Sequence, residues 1–285
     1  MATGSRMLKP PESQAESPLA HITPVRKQKE IRIGQGVQNK ILQDLSKPYG
    51  EAGGYYEYIA FKFPAKNLSV VAQRKAVEKS STDIAMGEGA LLSFNAMFYR
   101  FGGAKGSQDW VEPDGGLVLE GKQGAKFAYQ EGRRLAKFSR VLYAKYGGEA
   151  GIERAERLKK EKGPNPYSKY RFIVEGGHDI TVSKTGAVKG LEGVEVEEAR
   201  QTAVGITADG SIICFVSKDV EHTQEQVAKI LKGLGCIKAM LFDSATSCTI
   251  SVKGMPQYHL EQGMKSIPIP VSFAVYEEPK RQEIR

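Results

Sequence analysis

Thr202-Ala203-Val204-Gly205-Ile206-Thr207-Ala208-Asp209-Gly210-Ser211-Ile212-Ile213-Cys214-Phe215-Val216, with the run that starts at Thr223 and ends at Leu234-Gly235, decides the fold. Residues 202–206 and 211–216 are short runs rich in β-branched and apolar side chains, and they read as strands. The next run has a different period. Thr223 with Gln226 makes a capping-box pattern, and Val227, Ile230, Leu231 and Leu234 return on one helical face. Gly235 then supplies the stop. Strand texture spreads outward from this centre to residues 55–63, 68–72, 90–98, 115–119, 171–174, 248–252 and 271–276, while 239–242 leads into a polar loop at Asp243. Helical texture is expected over 124–162, where Phe127, Leu135, Phe138, Val141 and Leu142 recur at helical spacing, Gly147-Gly148 interrupts, and a charged helix ends at Gly163-Pro164. Strands and helices do not alternate regularly. The expected fold class is therefore α+β: a single domain with a mixed β-sheet and packed helices, plus an extended N-terminal tail.

The boundaries follow from composition. Residues 1–53 combine Pro10-Pro11, Pro18, Pro24 and Pro48 with the basic run Arg26-Lys27-Gln28-Lys29 and show no apolar period, so they read as an extended or disordered basic tail. Residues 54–277 form the domain, with a basic helical insertion at about 124–162, and 278–285 form a charged C-terminal tail. The chain has 285 residues, 40% hydrophobic and 26% charged, which is ordinary globular composition with area for a full core. No run has the roughly 18–20 apolar residues of a membrane helix, and the first residues lack the apolar core of a signal peptide. A cytoplasmic or virion location is expected, without a membrane partner.

Three cysteines, Cys214, Cys236 and Cys248, stand at scattered spacings without a CxxC, beside only four histidines. That pattern argues against a disulfide framework and a zinc site, and reads as three buried small apolar side chains. No metal or other cofactor is expected. The net charge of +8 favours an acidic partner. Arg133, Arg134, Lys137, Arg140, Lys159 and Lys160 would form a basic face, but no stacking aromatics accompany them. A solvated face is the simpler reading than a nucleic-acid site.

Chemistry is carried by three separated segments: Leu91-Leu92-Ser93-Phe94-Asn95-Ala96-Met97-Phe98-Tyr99, then residues 199–210 with Arg200 and Asp209-Gly210, then Leu234-Gly235 through Leu241-Phe242-Asp243-Ser244-Ala245-Thr246-Ser247-Cys248. In this order, with Phe172-Ile173-Val174-Glu175-Gly176-Gly177 between them, they resemble the phosphodiester glycosidase family, which includes the enzyme that uncovers mannose 6-phosphate on lysosomal proteins. The resemblance spans about residues 55–276. It implies a sugar phosphate ligand and a site in which Asn95, Arg200, Asp243 and Ser247 match the family's asparagine, arginine, aspartate and first serine. On that reading Asp243 and Ser247 are catalytic, with Glu175 as the spare carboxylate. Asn95, Arg200, Thr246 and His178 bind substrate. Arginine suits a phosphate because its planar fork donates two parallel bonds, and an aspartate can act as acid, base or nucleophile at a glycosidic carbon.

Each residue also has a plainer role. Arg200 can pair with Glu197 or Glu198, Asp243 can cap its own loop, Asn95 can satisfy a turn, and His178-Asp179 can be a surface turn. The sequence departs from the family at Ala96 and Met97, which replace small residues, and at Ser244-Ala245-Thr246, which replace three glycines. Methionine would fill space a sugar phosphate needs, and the lost glycines imply another loop shape. Two functions follow. One is a weakened scaffold serving as a binding or structural assembly module, through protein partners of the N-terminal tail and in an oligomer or a viral particle. The other is an active hydrolase of a sugar-1-phosphodiester or nucleotide sugar.

Overall fold

The computed structural model describes residues 23–24, 58–103, 109–127, 130–131, 139–161, 163–188, 198–217, 221–253, 258–259, 268–278, 280, 282 and 284. Apart from Thr23–Pro24, the expected N-terminal tail lies outside them, as do the side chains of Arg133, Arg134, Lys137, Lys159, Lys160 and Thr246. Among the described residues, three five-stranded sheets and one hairpin make up the architecture. The first sheet runs β1 (Thr23–Pro24), β2 (Tyr58–Pro64), β13 (Ser211–Ser217), β12 (Thr202–Thr207), β14 (Cys236–Leu241). The second runs β10 (Ala150–Arg154), β9 (Arg140–Lys145), β11 (Tyr170–Gly176), β7 (Leu117–Leu119), β8 (Lys122–Ala125). The third runs β16 (Tyr258–His259), β15 (Thr249–Val252), β4 (Leu92–Asn95), β17 (Val271–Val275), β3 (Leu68–Ala72), and β5 (Tyr99–Gly102) pairs with β6 (Trp110–Pro113).

Every strand pair among the described residues is antiparallel, so the expected mixed sheet is corrected, and the expected class shifts to a β-rich one. The α-helices among the described residues are short: α1 (Ser81–Gly87) and α2 (Gln224–Gly233). The capping box of α2 forms as expected, with Thr223 Oγ1 accepting from Gln226 N and Gln226 Oε1 from Thr223 N. Val227, Ile230 and Leu231 bury one face in a cluster with Leu241 and Phe215. Burial of each such side chain is worth roughly 1.5–3 kcal/mol, which is what holds a helix too short to be stable alone.

The helices expected across 140–160 are strands and a 3₁₀ turn. The reason is local. Val141 and Tyr143 point to one face of β9, Leu142 and Ala144 to the other, and Gly147-Gly148 form the hairpin turn between β9 and β10. Gly151 lies opposite Tyr143, and a Cβ there would collide with the phenol ring. Arg140 is buried and pairs with Asp179 at 3.3 Å, which removes it from the expected basic face.

The three sheets meet at one aromatic point. Phe273 of β17 packs against Phe94 of β4 at 5.3 Å, Phe172 of β11 at 6.2 Å and Phe242, just past β14, at 5.0 Å. Each such pair adds about 0.5–1.5 kcal/mol to the burial of its rings. Phe242 is thereby pinned where the sheets meet, and the next residue in the chain is Asp243.

Candidate active site

The core anchor delivers Asp243 to a place where three loops converge. Phe242 N donates to Thr202 O at 2.8 Å, and Asp243 N donates to Ala96 O at 3.2 Å. Asn95, only 1% exposed, closes the junction with its side chain. Its Nδ2 donates to Asp243 O at 2.8 Å, and its Oδ1 accepts from Thr202 Oγ1 at 2.7 Å and Thr249 N at 3.1 Å. Asn95 therefore stitches β4, β12 and β15 together behind the carboxylate. Its Oδ1 and one of its two Nδ2 hydrogens are engaged with protein, which gives Asn95 a bracing role.

The loop after Asp243 keeps part of the shape that glycines would favour. Ala245 stands at φ +57°, in the left-handed region, and opens a 3₁₀ turn over Ala245–Ser247. An L-residue there costs on the order of 1–2 kcal/mol. The conformation is held by Ala245 N donating to Arg200 O at 2.8 Å and Ser244 Oγ donating to Gln201 Oε1 at 2.8 Å. At this position the lost glycine has not removed the left-handed turn. Met97 is likewise not where expected: it is 1% exposed, packed in the central core with its methyl against Gly115.

Asp243 is half-buried, and burial pushes its carboxyl up from 3.8 to about 6, partly opposed by hydrogen bonds from Ser247 and Ser244 N. Ser247, 3% exposed, places its Oγ 3.1 Å from the phenol oxygen of Tyr99 at the start of β5. Cys248 lies behind, its thiol accepting from Thr202 Oγ1 at 3.3 Å and pushed up to about 12 by burial. Arg200 is half-buried, and among the described residues its guanidinium meets no carboxylate within 4.0 Å, Glu198 included. It acts on the Cys248 thiol, which places its charge at this loop.

The two remaining expected residues sit at the end of β11. Glu175 is buried, and its Oε2 accepts from Gly116 N at 2.6 Å, so its carboxylate secures the turn before β7. His178 is half-buried and held neutral to lower pH by burial and by Arg140. Its carbonyl accepts from Leu241 N at 3.0 Å, beside Gly177, over which the 39%-exposed ring of Phe98 stands. Asp179 pairs with Arg140 and caps Thr181 N at 2.9 Å, so it does not form an acid–base pair with His178. Sequence reasoning overlooked Thr202 and Tyr99, whose positions beside Gln201 and Phe98 carry no signal of their own.

All three cysteines are buried and free. Among the described residues no three His, Cys, Asp or Glu side chains gather as a metal site, and no helix is long and apolar enough to cross a membrane. A cleft of about 670 Å³ lies elsewhere, lined by Arg74, Glu120, Lys122, Tyr146, Gln282 and Ile284. None of the expected site residues reaches it, and its carboxylate is already occupied, Glu120 accepting from Tyr146 OH at 2.8 Å and Gln282 N at 3.1 Å.

Antiparallel sheets meeting at one aromatic core, with a half-buried carboxylate on the loop where they meet, define a β-rich scaffold carrying a carboxylate site at its strand ends. The chain belongs to the phosphodiester glycosidase family, whose sequence profile matches residues 88–276. Among solved structures it is similar to the catalytic domain of zebrafish N-acetylglucosamine-1-phosphodiester alpha-N-acetylglucosaminidase auto-inhibited by its pro-peptide. That match has 16% identity, covers 77% of this chain and 76% of that one, and has a TM-score of 0.54. A putative exported protein from Burkholderia pseudomallei K96243 matches with 11% identity, 77% and 73% coverage and a TM-score of 0.52. At these identities the likeness is one of fold. No curated protein sequence matches the chain.

Proposed function

We propose that the chain hydrolyses a sugar-1-phosphodiester or nucleotide sugar, with Asp243 as the reacting carboxylate. One observation carries this reading: Asp243 is set at the convergence of three loops, half-buried, with its carboxyl pushed up to about 6. Such a group is poised to exchange its proton near neutrality. Cleavage at the anomeric carbon adds water to the sugar and releases a phosphate monoester, or a nucleoside diphosphate from a nucleotide sugar, as an anion that needs no added proton. The demand therefore falls on a carboxylate that activates water or attacks the anomeric carbon. Asp243 is the carboxylate placed to meet it, and Arg200 supplies a guanidinium for the phosphate that is unpaired among the described residues. Met97, packed into the core, leaves the opening clear of its bulk.

Purified protein tested on an N-acetylglucosamine-1-phosphodiester and on UDP-N-acetylglucosamine should show turnover that Asp243→Asn abolishes. Equal rates for the two proteins, both well folded, would sink the reading. The alternative, a weakened scaffold acting as a binding or assembly module, has one observation in its favour. Thr23–Pro24 pair with Lys62 and Phe61 on the edge strand of the first sheet, so part of the tail docks by strand addition. Absent turnover, together with a change of oligomeric state on removal of residues 1–53, would favour it.

A further inference from the structure

We propose that the cleft of about 670 Å³ at the β7–β8 turn is a second binding site, and that it takes a small phosphate monoester. Pockets of roughly 300–1,000 Å³ are the usual size for small-molecule ligands. Three places in the chain build it. Arg74 lies two residues past β3, residues 119–124 carry the β7–β8 hairpin, and Gln282 and Ile284 bring in the C-terminal tail. The tail is pinned here. Gln282 Oε1 accepts from Val70 N at 3.1 Å, and Gln282 N donates to Glu120 Oε1 at 3.1 Å. Ile284 bridges to Ala72 and rests on Gly124, where a Cβ would collide with it. The turn is also strained. Glu120 at φ +49° and Gly121 at φ +72° form a two-residue hairpin loop whose first position favours asparagine, aspartate or glycine. Among the described residues Glu120 and Ala245 are the left-handed residues other than glycine, and Ala245 stands in the candidate active site. Glu120 N donates to Arg171 O at 2.8 Å, and its carboxylate ties Tyr146 and the tail to the turn. A glycine would relieve the turn and release both walls of the cleft, so the strain maintains its shape.

Charge selects the ligand. Both Glu120 oxygens are engaged, Oε2 by Tyr146 OH and Oε1 by Gln282 N, and the buried Arg171 guanidinium offsets the carboxylate charge. Arg74 and Lys122 are exposed on the same cleft and hold no ion pair among the described residues. Nearby cations behave differently: Lys145 of β9 pairs with Glu149, and Lys169 just before β11 pairs with Glu161, each at 2.8 Å. Two unpaired cations beside a carboxylate that is already bonded match a doubly charged anion. A phosphate monoester carries about −1.5 to −2 at pH 7. The exposed ring of Tyr146 and the side chain of Ile284 give apolar surface to the group it is esterified to. None of the candidate active-site residues lines this cleft, so the inference is independent of the hydrolase reading.

The test is a ¹H–¹⁵N NMR titration of the full chain with AMP, glucose 6-phosphate and inorganic phosphate, with adenosine and glucose as uncharged controls. At least one of the two esters should shift the amides of residues 119–124, 282 and 284 to saturation, and the controls should not. Arg74→Ala combined with Lys122→Ala should weaken that binding by about tenfold or more. Both side chains are exposed and unpaired, so the melting temperature of the double variant should match the parent. Arg200→Ala should bind the ester as the parent does. Saturable shifts that survive the double variant would overturn the inference, as would shifts at residues 243–248 that vanish with Arg200→Ala. Absence of saturable shifts with all three phosphates, or shifts with inorganic phosphate alone, would also overturn it.

Discussion

Replacing Asp243 by asparagine removes a charge that the fold holds at a disadvantage, and the size of the gain follows from its surroundings. Burial lifts the carboxyl from 3.8 to about 6, so the folded state binds its proton more tightly than the unfolded chain does. The contribution to stability is therefore fully present below pH 4 and is lost as the pH rises through 6. A shift of that size corresponds to about 3 kcal/mol, and partial exposure of the side chain reduces it to roughly 2 kcal/mol. The asparagine side chain would keep an Oδ1 able to accept from Ser244 N, a bond of 3.0 Å in the parent, and the Asn95 bond goes to the backbone. The substitution therefore changes charge more than contacts. Thermal unfolding should find Asp243→Asn and the parent alike near pH 4. Near pH 8 the variant should melt higher by roughly 4–8 °C. An advantage equal at both pH values, or a variant less stable at pH 8, would refute the claim that the carboxylate is carried against a desolvation penalty.

Asn95→Ala leaves Thr202 Oγ1, Thr249 N and Asp243 O without their shared partner, and should cost about 2–4 kcal/mol in urea unfolding. Ala245→Gly relieves a left-handed alanine and should be neutral to stabilising by about 0.5–1 kcal/mol at unchanged pH, read by the same assay. Arg200→Ala should raise KM for a phosphodiester substrate with little change in melting temperature, because its guanidinium holds no ion pair among the described residues. The rate of hydrolysis should fall as the pH drops below about 6, the side on which Asp243 takes up its proton. A rate that instead falls above that pH would assign Asp243 as the acid.

Much of the strand pattern was legible because it is written in local chemistry. The strands expected at 202–206 and 211–216 form, each one residue longer, and the capping box at Thr223 forms as expected. The 140–160 region failed for the opposite reason. Its alanines, lysines and arginines carry helical propensity, but pairing of Val141 with Glu153 and of Tyr143 with Gly151 decides the outcome, and pairing is not a local property. Helix α1 offers too few apolar residues for a period, and its signal was the Ser80–Asp83 box, with Ser80 N donating to Asp83 at 3.4 Å. Order along the chain singled out Asn95, Arg200, Asp243 and Ser247, and the fold brings them to one loop junction. Which of them faces inward was not legible, because the Asn95 partners come from segments 107 and 154 residues away.

The same loop carries two local violations, and their coincidence bears on whether the site is kept or decayed. Asp243 is an aspartate with its carboxyl raised by burial, and two residues later Ala245 holds a left-handed turn that glycine would hold more cheaply. Elsewhere the described residues largely obey the ordinary rules, apart from Glu120, which is also left-handed at φ +49°: apolar faces are buried, the two α-helix starts are capped, and the three thiols are packed as small apolar groups. Strain persists only where surrounding structure over-determines it, and here the determinants are visible. Phe242 is clamped by Phe273 at the meeting of the sheets, Asn95 binds the Asp243 carbonyl, and Arg200 O receives Ala245 N. A scaffold retained only for assembly has no need to hold a carboxylate half out of water at a junction this constrained, since asparagine would fit the same contacts with greater stability. On the proposed hydrolase reading, this is the loop that presents Asp243 for chemistry, with Met97 packed in the core and Ala245 held in its left-handed turn beside it.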